Sequence, residues 1–264
     1  MPELAEVEYY RKQWDPGLGQ KILEVTCRED RRIFRGIPAG LLPTTLQGAR
    51  LISSETHGKQ MLFRFDKGSL GVHLGMTGEL YREEPGHTPA KHAHLILRQK
   101  KQDLVFSDPR LFGRVRLETG KGEPTWWQDL PPDPRSKAFT LAVVREALTR
   151  RKGTPLKAAL LQQEHFPGIG NWMADEILWQ SHLKPMRKCG TVTEEESQIL
   201  WKTIRVISRT AIRIIGKDFS DPPEDWLFGH RWKKGGFCPR CGLELKRDEV
   251  GGRTTCWCPH CQPQ

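Results

Sequence analysis

Apolar residues recur along this chain with two different periods, and the change between them divides it. Over residues 2 to about 14, Leu4, Val7 and Trp14 stand at helical spacing, and Asp15-Pro16-Gly17 ends the run. From about 20 to 118 the period is two. Leu23, Val25 and Cys27 alternate with polar residues, as do Met61, Phe63 and Phe65. Shorter apolar runs follow at 70–74, 94–97 and 104–106, with Gly, Pro and Asp between them. Several short strands in succession predict a β-sandwich or barrel. Proline-dense sequence, Glu123-Pro124-Thr125 and then Leu130-Pro131-Pro132-Asp133-Pro134, reads as a linker. Beyond it, spacings of three and four predict helices over 137–150, 155–163, 171–181 and 193–216. The last carries Ile199, Leu200, Ile204, Ile207, Ala211 and Ile214 on one side. The expected division is a sandwich domain over 1–122, a linker over 123–136, a helical domain over 137–228 and a small C-terminal module over 229–264.

Composition narrows the class. The 264 residues suffice for two domains or one large one, and 37% hydrophobic content permits a folded core. No apolar run approaches the ~20 residues of a membrane span. The acidic N-terminus does not fit a secretory signal. A formal charge of +10 favours a polyanionic partner, nucleic acid first. Seven cysteines, an odd number without a signal, argue against a disulfide framework and for a reducing cytoplasm.

Four of those cysteines form Cys238-x2-Cys241, sixteen residues, Cys258-x2-Cys261, which is zinc-ribbon spacing. Four thiolates leave no open coordination position, so one structural Zn²⁺ is expected, its binding energy replacing a core the segment cannot build. His260 and Cys256 are possible competitors as ligands, but the symmetric spacing favours the four. Gly251-Gly252-Arg253 between the pairs reads as a hairpin tip with Arg253 projected outward. In Pro167-Gly168-Ile169-Gly170-Asn171 the glycines allow close backbone approach, and Asn171 suits an N-cap, so the turn could present N–H donors to a phosphate. His73-Leu74-Gly75-Met76-Thr77-Gly78 and Asp108-Pro109-Arg110-Leu111-Phe112-Gly113-Arg114 put Met76, Arg110 and Phe112 on turns. Two of these side chains are apolar wedges and the third can donate to a base edge. Removal of Met1 leaves Pro2 as a terminal secondary amine, able to attack an aldehyde carbon and form an iminium. Glu3 beside it can move protons. Taken alone, Pro2 and the acids after it equally suit an ordinary helix start.

The conjunction of these motifs resembles the bacterial formamidopyrimidine-DNA glycosylase and endonuclease VIII family. It covers Pro2-Glu3-Leu4-Ala5-Glu6-Val7-Glu8, His73 to Gly78, Asp108 to Gly113, Gly168 to Asn171 and the four cysteines, in the family's order from Pro2 to Cys261. The resemblance implies an α+β fold: an N-terminal helix and β-sandwich, a helical domain with a helix–two-turn–helix, and a C-terminal zinc-ribbon hairpin. It implies excision of oxidised bases, purines ahead of pyrimidines, followed by abasic-site cleavage. Pro2 matches the Schiff-base nucleophile, Glu3 the acid/base, Lys59 the lysine of β-elimination, and Arg253 the finger arginine of δ-elimination. His92, Arg110, Lys152 and Asn171 match DNA-contact positions, and Met76, Arg110 and Phe112 the group that fills the void of the flipped base. Glu6 and Glu176 match acidic positions near the site. The implied partner is damaged double-stranded DNA, met by a monomer in the bacterial cytoplasm at the nucleoid, with no membrane.

Some positions depart from the family pattern. Ala5 stands for a proline, Leu111 for an arginine, Met173 for a tyrosine and Gln162 for an aspartate, and the segment Asp218 to Phe237 is shorter than the loop that caps oxidised guanine. Oxidised pyrimidines, or single-stranded, branched or cross-linked DNA, are therefore alternative substrates. A zinc protein that binds damaged DNA without catalysis is the alternative from another class.

Overall fold

The computed structural model describes residues 1–120, 122–232 and 235–263, and the chain forms two compact units. The first comprises residues 1–2 and 6–130, the second residues 3–5 and 131–264. The helix α1 (Leu4–Lys12) therefore contributes to both: Leu4 and Ala5 are buried in the core of the second unit, Val7 in that of the first.

In the first unit, β1 (Glu24–Cys27) is followed by α2 (Leu41–Leu46). Then come β2 (Leu51–His57), β3 (Gln60–Phe65), β4 (Gly68–His73), β5 (Glu79–Glu83), β6 (Ala93–Arg98), β7 (Asp103–Ser107), β8 (Arg114–Thr119) and a short α3 (Thr125–Gln128). Two four-stranded antiparallel sheets result, in the orders β1-β6-β7-β5 and β2-β3-β4-β8. Alternation decides what each strand buries: Leu104 and Phe106 of β7 enter the shared core with Met61, Phe63 and Phe65 of β3, while Val105 faces the other way with Ala93 and Ile96. Sealing a core from both inner faces makes this a sandwich. Buried Arg11 pins α1 to β2. It is forked between Glu8 (2.8 Å), Asp15 (2.7 Å) and the Ser54 hydroxyl, and Glu8 also accepts from Thr56 (2.7 Å).

The stretch expected as a linker is only partly one. Trp126 and Trp127 of α3 pack edge to face, Trp127 sits 5.7 Å from the His57 ring, and Trp126 lies over Gly71, where no side chain would fit. Two tryptophans have too much apolar area to leave in water, so they fold the segment back onto the sheet.

The second unit holds α4 (Leu141–Arg150), α5 (Leu156–Leu160), α6 (Asn171–Gln180), α7 (Glu194–Asp218), and the hairpin β9 (Lys246–Val250) with β10 (Arg253–Trp257). A capping box starts α7: Glu196 N donates to Thr193, and Thr193 N to Glu196. Its buried stripe is Leu200, Ile204, Ile207, Ala211 and Ile215. Ile199 is 48% exposed, and Ile215 replaces the expected Ile214, because the true stripe starts one residue later and drifts with the 3.6-residue turn.

Candidate active site and nucleic-acid interface

The helix α6 begins at Asn171, and its N-cap is Gly170. The sequence places Asn171 at the cap and a phosphate at the free N–H groups; the structure differs on both. Glu3 supplies the anion. Its Oε2 accepts from Gly170 N (2.9 Å) and Met173 N (3.1 Å), and its Oε1 from Trp172 N (2.9 Å). Leu4 N donates to Gly168 O (3.1 Å) and continues the clasp. Three N–H donors at the positive end of a helix hold a buried carboxylate in one pose. Both glycines are required locally: Gly168 has φ +88°, and a Cβ on residue 170 would run into the Glu3 carboxyl carbon.

Asn171 turns its amide elsewhere and donates to Thr254 O (3.0 Å). That bond fixes β10 one residue from Arg253. Gly251 and Gly252 both lie at positive φ, as a two-residue hairpin turn demands, and Gly251 seats against Ala158 of α5. Arg253 is exposed at the start of β10, as expected. Two successive turns over 161–170 separate α5 from α6, giving the helix–two-turn–helix. Beneath it, fully buried Lys157 and Asp175 form an ion pair (2.5 Å), and Asp175 also accepts from Arg231 and from Cys256 N (3.2 Å). Burial pushes the Lys157 ammonium below its ordinary range, and Asp175 opposes that shift. Exposed Lys152 follows α4.

The sulfurs of Cys238, Cys241, Cys258 and Cys261 lie within 4.8 Å of one another. Cys238 and Cys261 are 3.8 Å apart, Cys241 and Cys258 3.5 Å. The edge of a Zn–S₄ tetrahedron with ~2.3 Å bonds is about 3.8 Å, so the residues fit one structural zinc. Trp179 Nε1 donates to Cys238 Sγ (3.3 Å) and Cys261 N to Cys258 Sγ (3.4 Å), the outer hydrogen bonds such a centre needs. Neither competitor joins the cluster: Cys256 is buried with its thiol pushed up to about 11 by desolvation, and His260 is exposed.

In the first unit Lys59, 9% exposed, follows Gly58 (φ +56°) in the β2–β3 turn. Register pairs Gln60 with His73 across β3 and β4. Burial, then the charges of Lys59 and Arg116, push His73 down to about 4, so the imidazole stays neutral and accepts from Gly75 N (3.1 Å). The two wedge turns are brought together by a residue the sequence reading did not single out. Asp108, fully buried, accepts from Thr77 Oγ1 (2.9 Å), Gly113 N (2.7 Å) and Arg110 N (3.2 Å), and Gly75 lies against the Phe112 backbone. An Asp opening a turn was its one local signal. Met76, Arg110 and Phe112 are exposed on this joined surface. The Arg110 guanidinium lies 4.7 Å from the Phe112 ring centre, and so does that of Arg32, which no local pattern flagged. His92 is half-buried, its carbonyl accepting from Asp108 N (3.1 Å).

A sandwich with an exposed aromatic–arginine pair, and a helix–two-turn–helix with a four-cysteine ribbon that fits structural zinc, are a combination that suits the class of zinc-bearing DNA-repair enzymes. Comparison with known proteins makes this specific. The family profile for the formamidopyrimidine-DNA glycosylase N-terminal domain matches residues 1–115, that for its H2TH domain residues 130–221, and that for the zinc finger found in FPG and IleRS residues 235–264. The chain belongs to the formamidopyrimidine-DNA glycosylase family. A relative of that name from Thermomicrobium roseum is 33% identical over 288 aligned residues, covering 100% of this chain and 99% of the relative. The Lactococcus lactis formamidopyrimidine-DNA glycosylase, solved non-covalently bound to abasic-site DNA, superposes with a TM-score of 0.87 at 27% identity, covering 99% of this chain and 100% of that one. MutM solved with DNA containing carbocyclic 8-oxoguanine gives a TM-score of 0.87 at 28% identity, both chains fully covered.

Proposed function

We propose that this protein excises oxidised bases from duplex DNA, purines ahead of pyrimidines, and then cleaves the strand, with the Pro2 nitrogen as nucleophile once Met1 is removed. The observation that carries the reading is the Glu3 carboxylate, adjacent in the chain to Pro2 and held by Gly170, Trp172 and Met173 N–H groups. Those three donors hold the carboxylate in one pose next to the terminal nitrogen, where it can pass protons as well as close the helix N-terminus.

The chemistry follows from the residue types. The proline nitrogen attacks C1′ of the extruded nucleotide, the glycosidic bond breaks, and the base leaves with the bonding pair and takes up a proton. Glu3 takes the proton that the attacking nitrogen loses and delivers it to the sugar ring oxygen as the ring opens. Nitrogen, now an iminium, draws electrons from C1′ and acidifies the C2′ hydrogen. Loss of that proton breaks the C3′–O bond and frees the 3′ phosphate. A second elimination breaks the C5′–O bond, and water then hydrolyses the iminium, releasing the sugar fragment and restoring the proline amine. Lys59 serves the first elimination, beside a His73 that burial and the charges of Lys59 and Arg116 keep neutral. Arg253 neutralises the departing phosphates from the hairpin tip. His92, Lys152, Asn171 and Arg110 hold the DNA, and Met76, Arg110 and Phe112 enter the gap left by the base. Likeness to structures holding carbocyclic 8-oxoguanine DNA and oxidised-pyrimidine DNA supports oxidised bases of both kinds, and the Met76, Arg110 and Phe112 group is what favours purines.

The test is borohydride trapping of the mature protein on an abasic duplex. A covalent adduct lost in Pro2→Gly, with abasic-DNA binding retained, is expected. Absence of any adduct from the unaltered protein would make it a damage binder without catalysis. A panel of lesion duplexes, including oxidised pyrimidines and branched or single-stranded DNA, ranks the substrates, and a pyrimidine preferred to 8-oxoguanine would overturn the purine reading. The reading also puts the protein in the cytoplasm, at the nucleoid, acting as a monomer, which light scattering on the DNA complex checks.

A further inference from the structure

Phe112 is 45% exposed, yet its ring is not loose. Arg32 reaches it from a 3-10 turn, Arg32–Phe34, whose next two residues, Ile33 and Phe34, are sunk in the sandwich core. From that anchored base the guanidinium lies 4.7 Å from the ring centre. Its Nε donates to Leu111 O and its Nη2 to Arg110 O (3.0 Å). These carbonyls bracket Leu111, which holds φ +58°, a region an ordinary side chain enters only under constraint. One planar cation therefore holds both carbonyls of a strained turn and lies against the aromatic ring the turn presents.

We propose that Arg32 is a positioning residue that presets Phe112 for entry into the duplex, a role that rests on Phe112 being the wedge of the proposed function. The rival role for an exposed arginine here is a phosphate contact, since Arg32, Arg35 and Arg114 line a cleft of about 410 Å³ beside the ring. The two roles diverge by experiment. A phosphate contact depends on charge, so Arg32→Lys would keep it, and its loss in Arg32→Ala would lower the salt slope of binding by ~1. Positioning depends on the planar fork, which lysine lacks.

The experiment measures single-turnover cleavage of a lesion in duplex and in single-stranded DNA for the unaltered protein, Arg32→Ala, Arg32→Lys, Phe112→Ala and the double variant Arg32→Ala/Phe112→Ala. Arg32→Ala and Arg32→Lys should both lower the duplex-to-single-strand ratio by roughly five-fold, with the salt slope unchanged. Adding Arg32→Ala to Phe112→Ala should lower it no further. The side chain is exposed, so its truncation leaves the core intact. Rescue by lysine with a reduced salt slope in Arg32→Ala would overturn the proposal in favour of a phosphate contact. An unchanged ratio in Arg32→Ala, with a reduced one in Phe112→Ala, would overturn it while leaving the wedge in place. An unchanged ratio in Phe112→Ala would overturn the wedge reading itself, and this proposal with it.

Discussion

The Glu3 carboxyl group occupies the space that a side chain at Gly170 would take, so two residues 167 apart in sequence share one volume. The seat of the Glu3 carboxylate, next to Pro2 in the chain, is thus set by the absence of a Cβ at the start of α6. Gly170→Ala should push Glu3 out of its three hydrogen bonds without touching Pro2. We expect turnover to drop by roughly ten- to a hundred-fold, the usual result of misplacing a reacting group by about 1 Å. Abasic-DNA binding should stay nearly constant. Single-turnover kinetics at unchanged turnover would show that Glu3 needs no such seat.

This pairing also marks what the sequence could and could not disclose. Local features were legible: the alternation of Met61, Phe63 and Phe65 in β3, the apolar run of β7, the three-to-four spacing of α7, the cysteine spacing, and the hairpin tip bearing Arg253. Strands β2, β5 and β8 were not, because each seals only one or two residues in the core and its apolar signal is thin. The α2 helix was hidden by Pro43, which sits near its start, where its missing N–H costs little. Within the site, the motif Gly-Ile-Gly-Asn announced an anion-binding turn but not that the anion is the chain's own Glu3. Arg32 against Phe112, and Asp108 joining the two wedge turns, depend on tertiary placement that no spacing rule encodes.

For the metal centre, Cys241→Ser should remove one equivalent of zinc and unfold the ribbon, since binding and folding are coupled there. Neither Cys256, committed to the interior, nor exposed His260 stands ready to replace the lost thiolate. Elemental analysis showing unchanged zinc content would contradict the four-cysteine assignment. Affinity for DNA should fall in parallel, because Arg253 loses its support.

Glu176 offers a pH prediction. Its carboxyl is buried and pushed up to about 7 by desolvation and then by Asp175, against the opposing bonds from Gln180, Leu227 and Phe228. Between the ordinary 4.5 and about 7 the folded protein keeps a proton that the unfolded chain releases. Stability contributed here is therefore present below the lower value and lost as pH rises through the window, by on the order of 3 kcal/mol. Glu176→Gln cannot titrate. Its urea midpoint should be close to that of the unaltered protein at pH 5 and should exceed it by pH 8. An equal difference at both pH values would show that Glu176 does not titrate in this window.

The hairpin tip gives the last prediction. Arg253 owes its position to two contacts within its own unit: the Asn171 amide on Thr254 O at 3.0 Å, and Gly251 packed on Ala158. On the proposed mechanism, Arg253→Ala should leave borohydride trapping intact and shift the products from δ- towards β-elimination, because it spares the nucleophile and removes the cation at the departing phosphate. Gly251→Ala tests whether position matters as well as charge. The glycine holds φ +61°, and an added Cβ would come within 2.8 Å of the Ala158 Cβ, so the tip must lift while Arg253 keeps its guanidinium. The same product shift should appear, weaker than in Arg253→Ala, with zinc content unchanged. A gel on which Gly251→Ala yields the ordinary product ends would mean that Arg253 acts from a tip free to find the phosphate by itself, and that the seat on α5 serves stability alone.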